Sequence, residues 1–284
     1  MNEEISPSSG FHYTSLSSMI QILQTRSLWA SDARYLNDSE EIKFGLGVLK
    51  KLLEEPAEWS NAEWQHVLAE VRRAIDNPVA LESEPYVISF TQHGDSLEMW
   101  RSYGRDGGCS IEFDLSVLDN VIGSEQIACG NRLLLTKKEC ADMVERNMML
   151  RSRIQRVMYG EEGGRRLFMT LLDDCRGNLR SPSQDAIISF SSFIKHGAFK
   201  SEDEIRLLIQ SASCMNSKVP VREARGHLVP YRTVTFPYTA VKSITIGPSP
   251  YRERTISALN RFLYSPRDEW SGVEVRTSSI PYLA

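Results

Sequence analysis

Apolar positions recur at two spacings along this chain. Alternation with period two predicts strands, and recurrence every three to four residues predicts helices. Phe11-His12-Tyr13-Thr14 reads as a short strand, followed by a helix from Ser15 to Arg26 with Leu16, Met19, Ile20 and Leu23 on one face. Leu28-Trp29-Ala30 reads as extended, and Ser31 to Asn37 as a polar loop. Asp38 stands where a helix cap would, with Glu41 at the capping-box position. Trp64, Val67, Leu68, Val71 and Ile75 mark another amphipathic helix, closed by Asn77-Pro78. Tyr86 to Thr91 is aromatic and β-branched and predicts a strand ending in a turn at His93-Gly94-Asp95. A short helix from Ser96 to Tyr103 and a strand from Cys109 to Phe113 follow.

The second half reads similarly. Thr136 to Tyr159 predicts a long basic helix. Ser181-Pro182 opens another through Ile187, Ile188 and Ile194, since proline is accommodated at the first helical position. Ile205 to Ile209, Val241 to Ile246 and Val273 to Arg276 predict strands, with a helix from Tyr251 to Tyr264. Neither a regular βαβ repeat nor a glycine-rich phosphate loop is present, which disfavours Rossmann and P-loop nucleotide sites. The expectation is an α+β fold in one domain over 1–284, a mixed sheet surrounded by helices, with a helical stretch at about 136–199.

Composition narrows the class. The chain has 284 residues, 41% hydrophobic and 25% charged, an ordinary globular balance. No apolar run approaches the ~18 residues of a membrane span. The acidic start Met1-Asn2-Glu3-Glu4 has no apolar stretch, so no signal peptide is expected. Five cysteines without a close pair, and five histidines without metal spacing, predict reduced thiols, a cytoplasmic setting and no metal. The net charge of −4 is uneven: residues 1–131 carry −12, while 132–166 and 167–284 each carry +4. Mixed surfaces are common, but the basic Arg151, Arg153 and Arg156 could also hold a nucleic-acid or protein acceptor.

Four segments could carry chemistry. His12 and Thr14 share one strand face and Tyr13 the other. A histidine there can contact a sugar hydroxyl, or simply satisfy a backbone carbonyl. Ser89 and Thr91 share a face of their strand and suit a ligand or solvent equally. Trp100 and Tyr103 share a helix face, as an aromatic wall for a ring or as core. Finally, Glu202, Glu204 and Arg206 alternate along a strand entry. Paired carboxylates can stabilise a developing sugar cation and accept a proton, whereas an exposed ion-paired edge would need no chemistry. Asn37 and Asp38, at the end of the polar loop, are further candidate substrate contacts.

The blocks FHYT, LWAS, YLNDSEE, ISFT, MWRSYG, GCSIEFD, FKSEDEIRLL, ITIGP and SSIPY, in that order over residues 11 to about 282, resemble the bacterial family called domain of unknown function 2971. Members often carry W-x-x-E-x-E-[YF]-R. Here Ile205 takes the later aromatic position, so the pocket differs there. The order strand-His, strand-Ser/Thr and late E-x-E is also similar to the ADP-ribosyltransferase fold. That resemblance implies a split mixed sheet holding NAD, as co-substrate, in a central cleft. It would make His12 the ribose contact, Tyr13, Trp100 or Tyr103 the stacking ring, and Ser89 and Thr91 the second motif. Glu204 would be the catalytic glutamate, with Glu202 orienting an acceptor.

Three functions follow as expectations. The first is an enzyme, an NAD-dependent ADP-ribosyltransferase or NAD glycohydrolase, in the style of bacterial toxins or phage-defence effectors. The second is a non-catalytic nucleotide or nucleic-acid binding module. The third is a metal-dependent nuclease using Asp38, Glu40, Glu41, Glu202 and Glu204 as oxygen ligands. The first requires His12 and Glu204 to face one cleft.

Overall fold

The computed structural model describes residues 7–36, 40–54, 65–76, 84–104, 107–119, 152–177, 184–211, 219–224, 226–264 and 269–281. Their elements run β1 (Ser9–Thr14), α1 (Leu16–Thr25), β2 (Ser27–Asp32), α2 (Glu40–Glu54), α3 (Gln65–Asp76), β3 (Glu84–Thr91), α4 (Leu97–Tyr103) and β4 (Cys109–Asp114). The chain continues through β5 (Ser152–Arg156), β6 (Met158–Tyr159), α5 (Gly160–Gly177), α6 (Gln184–Ser191), β7 (Ile194–Lys195) and β8 (Glu204–Ser211). It ends with β9 (Val221–Ala224), β10 (His227–Thr235), β11 (Val241–Ile246), α7 (Arg252–Leu263) and β12 (Glu274–Thr277).

The described residues form a mixed α+β structure with a central ten-stranded sheet. Its pairings are antiparallel except β11 with β12. One path runs β12-β11-β4-β1-β3-β2-β10-β9, and β8 joins β3 to β5. The sheet branches at β3. Strand β8 pairs along all of β3, from Glu84 opposite Ser211 to Thr91 opposite Glu204. Strands β1 and β2 share the other edge of β3: β1 joins at Phe11 opposite Thr91, and β2 at Ser31 and Asp32 opposite Val87 and Tyr86. Between those joins the sheet is split.

Side-chain alternation distributes the core over both faces. Tyr86, Ile88, Phe90, Ile205, Leu207 and Ile209 meet Met19, Ile22 and Leu23 of α1 and Leu259 and Leu263 of α7. Ser15 caps α1 by accepting from the Ser18 amide. On the other face Val87 and Leu208 lie in a second core with Ile42, Leu46 and Leu49 of α2, Leu68 and Val71 of α3, and Phe168, Ile187 and Ile188 of α5 and α6. Gly45 lets α2 approach α6 closely: a Cβ there would stand 2.7 Å from the Ser191 carbonyl oxygen. That approach sets Glu41, one turn earlier, above the sheet. A smaller cluster of Tyr13, Met99 and Trp100, with Phe11 and Ile280 against it, lies apart from the second core.

Several expected boundaries change. Residues 152–156 and 158–159 are strands, not the end of a basic helix. Ile154 pairs with Leu207 and packs on the first core, and polar residues alternating with it suit a sheet edge. Ile194 lies in β7, paired with Met158 of β6, beyond the end of α6. Ser31 and Asp32 belong to β2, and a 3-10 turn occupies Ala33–Tyr35. The expected helix starts and stops at Asp38, Asn77-Pro78 and Ser181-Pro182 lie outside the described residues.

Candidate functional site

Strand β8 begins with an ion cluster. Glu202 ends a 3-10 turn, Gly197–Glu202, and Asp203 takes the left-handed conformation at φ 42°. A non-glycine residue in that region is held by its surroundings. Here the Asp203 amide donates to the Lys200 carbonyl and the Gln92 amide to the Asp203 carbonyl. Thr91 Oγ1 donates to the Glu202 carbonyl at 2.6 Å. The turn therefore docks on β3, and the Glu202 and Glu204 side chains on either side of Asp203 both reach Lys195.

Three carboxylates meet two cations. Lys195 Nζ lies 2.5 Å from Glu202 Oε2 and 3.2 Å from both Glu204 Oε2 and Glu41 Oε1. Arg206 donates from Nε to Glu204 Oε1 at 2.6 Å and from Nη2 to Glu204 Oε2 at 3.0 Å. Its Nη2 also donates to Glu41 Oε2 at 2.6 Å, and its Nη1 to the Ser192 carbonyl at 2.5 Å. Glu41, Lys195, Glu204 and Arg206 are buried, and Glu202 is the most exposed carboxylate of the three, with 13% of its side chain accessible. Buried charges persist only when paired and hydrogen-bonded, and this set satisfies that rule. Burial alone would push the Glu204 carboxyl up, but Arg206 reverses this and holds it at about 2. Burial opposes the charge of Lys195 too, yet Glu204 and Glu41 leave its pKa raised.

The cluster forms one wall of a cleft of about 530 Å³. Phe11, His12, Tyr13, Ser89, Phe90, Met99, Tyr103 and Phe199 line the rest. Ser89 and Phe90 are successive residues with opposite directions on β3, so the cleft reaches into the split of the sheet. Tyr103 donates its phenol to Glu202 Oε1 at 3.2 Å. Burial, then the Glu202 charge, pushes that phenol up to about 12, which keeps it a donor. Lys195 Nζ stands 4.8 Å from the Phe199 ring centroid, a cation–π distance. Tyr159 OH accepts from the Glu204 amide at 2.8 Å and anchors the strand entry.

Of the residues expected from sequence, His12, Tyr13, Ser89, Tyr103, Glu202, Glu204 and Arg206 line this cleft together. His12 bridges the split: its Nδ1 lies 3.0 Å from the Ser89 carbonyl, to which it donates as the Nδ1–H tautomer. Burial lowers its pKa, outweighing that bond. Tyr13 spends its hydroxyl on the His93 carbonyl and the Ser96 amide. Trp100 is core: it is buried, its ring packs on Tyr13 and its Nε1 donates to Asp95. Thr91 is buried and holds the Glu202 turn, and neither it nor Thr14 lines the cleft. Asn37, Asp38 and Arg151 lie outside the described residues, as do the side chains of Glu40 and Arg153. Arg156 is exposed on β5 and donates to Gln92 at 2.7 Å.

Lys195, Tyr159 and Phe199 carry no site signal in the sequence, and Glu41 stands there only as a capping residue and a candidate metal ligand. Glu41 read as a helix cap, yet its carboxylate is bound by Arg206 and Lys195. The one available signal is the imbalance of the E-x-E-x-R segment, which requires another cation if buried and so points to Lys195 but not to Glu41.

The family model described as protein of unknown function, DUF2971, matches residues 99–207. The match supports the likeness to that family over this stretch, which contains Tyr103, Lys195, Glu202, Glu204 and Arg206. Neither the curated proteins nor the solved structures give a match to the chain. Among the described residues, no helix is long and apolar enough to cross a membrane.

Proposed function

We propose that the cleft cleaves an N-glycosidic bond with NAD as co-substrate, releasing nicotinamide and passing ADP-ribose to water or to a macromolecular acceptor. One observation carries this reading. Three carboxylates and two cations leave a formal charge of −1 in a buried cluster, and Glu202 is its most accessible acid. Breaking the bond from ribose C1′ to the nicotinamide nitrogen sends the electron pair to nicotinamide, which leaves neutral. Positive charge then grows on the ribose, and a fixed carboxylate stabilises charge present chiefly in the transition state. Water or an acceptor group attacks C1′ and loses its proton to a carboxylate or to solvent. In this scheme Glu202 faces the ribose, and Glu204 holds Lys195 and Arg206. His12 and Tyr103 bound the same space. A toxin or phage-defence role rests on the resemblance alone.

The test is nicotinamide release from NAD by the purified chain, with Glu202→Gln beside it. Release that falls about a hundredfold or more in the variant supports the proposal. The absence of release with water, nucleic acid or lysate as acceptor overturns it.

The saturated state of Glu204 favours a second reading, a binding module that holds a nucleotide without turnover. NAD binding by calorimetry without nicotinamide release would select it. A metal-dependent nuclease is less supported. Glu41, Glu202 and Glu204 converge on Lys195 Nζ, which supplies the positive charge a divalent ion would bring.

A further inference from the structure

Away from the cleft, the wing formed by β2, β10 and β9 presents an unusual sheet face. Tyr231 pairs with Ser31, and Thr233 with Trp29, so the two aromatic rings are diagonal neighbours. Their centroids are 4.6 Å apart with planes 31° from parallel. Trp29 is 39% exposed although it stands in the middle of a strand. Arg222 of β9, opposite Val229, shares this face and donates from Nη2 to Ser31 Oγ at 2.9 Å.

Arg222 is underused. Its Nε is buried and has no hydrogen-bond partner among the described residues. Among the described residues, no carboxylate lies within ion-pairing distance of its guanidinium. Burial lowers its pKa, outweighing the more distant Glu223. The acids of this wing are directed elsewhere. Asp32 is taken by Arg34 at 2.6 Å. Glu84 meets Arg232, and Glu223 accepts from the Gly226 amide. By alternation Asp32 and Glu223 point to the face opposite Ser31 and Arg222. The Trp29 face thus combines two offset rings with a cation that meets no anion among the described residues.

We infer that this face binds single-stranded nucleic acid, with a base stacked on the Trp29–Tyr231 pair and a phosphate oxygen on Arg222. A planar guanidinium matches phosphate, and a sheet bearing exposed aromatic rings suits unpaired bases of any sequence. Double-stranded nucleic acid, whose bases are stacked internally, would not gain the ring contacts. Trp29, Tyr231 and Arg222 do not line the cleft, so the inference is independent of the glycosyl chemistry.

The test is fluorescence anisotropy of the full chain with labelled oligothymidylate of about twelve nucleotides, within the span of one such surface. Binding should quench tryptophan emission. Trp29→Ala should weaken binding by roughly ten- to a hundredfold, the range of one lost stacking contact. Trp29→Phe should retain most affinity while losing the quenching, which a merely structural role would not produce. Arg222→Gln should lower the slope of log affinity against log salt by about 0.7, one phosphate contact on a single strand. No binding at low salt, equal binding of a duplex, or affinity indifferent to Trp29→Ala and Arg222→Gln would overturn the inference.

Discussion

Glu202 and Glu204 are two residues apart, reach the same ammonium group and yet have different remaining capacity. Glu204 accepts from Arg206 Nε on one oxygen and from Arg206 Nη2 and Lys195 on the other. Glu202 accepts from Tyr103 on one oxygen and Lys195 on the other, at the cleft wall. The first is committed to structure, and the second retains acceptor sites for a substrate hydroxyl.

Glu202→Gln and Glu204→Gln should therefore separate. The former should leave the fold near wild-type stability and remove the proposed nicotinamide release. The latter should destabilise the chain by about 3–5 kcal/mol, because it breaks a buried charge cluster. Urea unfolding followed by circular dichroism, run beside the nicotinamide assay, checks both.

Acid should unfold the protein through Glu204. Its folded pKa is depressed from an ordinary 4.5 to about 2. The stability it contributes is present above about pH 4.5 and is lost as pH falls toward 2. The urea midpoint should decline across that window, more steeply in wild type than in Glu204→Gln. Parallel declines would count against the assignment.

Tyr103 offers both a ring and a hydroxyl. Tyr103→Phe removes the bond to Glu202 and keeps the ring, and should cost about tenfold or somewhat more in the proposed rate, the worth of one hydrogen bond to a charged group. Tyr103→Ala should cost more. Equal losses in the two variants would show that only the hydroxyl matters.

Asp95 should prove structural. Its carboxylate accepts from Trp100 Nε1, Ser278 Oγ and both the amide and hydroxyl of Ser279. Asp95→Ala leaves the buried Trp100 donor unpaired, at a cost of about 1–3 kcal/mol. A thermal melt should show a lower midpoint, and Trp100→Phe combined with it should recover part of the loss.

Local pattern made the strands of the site legible. Tyr86 to Thr91 is aromatic and β-branched and Ile205 to Ile209 is a short apolar run, but the expected E-x-E-x-R alternation holds only for Glu204 and Arg206 of β8, since Glu202 ends a 3-10 turn and reaches the cluster from there. Lys195 escaped notice because Phe193-Ile194-Lys195 continues a helical spacing, whereas the structure places it in a two-residue strand against β6. Tyr159 escaped because the arginines before it mimic a basic helix face, although β8 recruits residues 152–156 as an edge. Both errors arise from tertiary pairing overriding a weak local preference. Local pattern alone does not show the cleft, since it depends on two strands sharing one edge of β3.

That shared edge has a mechanical consequence. Strand β1 is joined to β3 by a single registered pair, Phe11 with Thr91, and by the His12 bond to the Ser89 carbonyl. On the opposite edge β8 is fastened to β3 over its whole length. The two walls of the cleft are thus fastened to β3 unequally: the acidic wall by eight registered pairs and the His12 wall by one. Opening the cleft from the β1 side would therefore break fewer bonds to β3 than opening it from the β8 side.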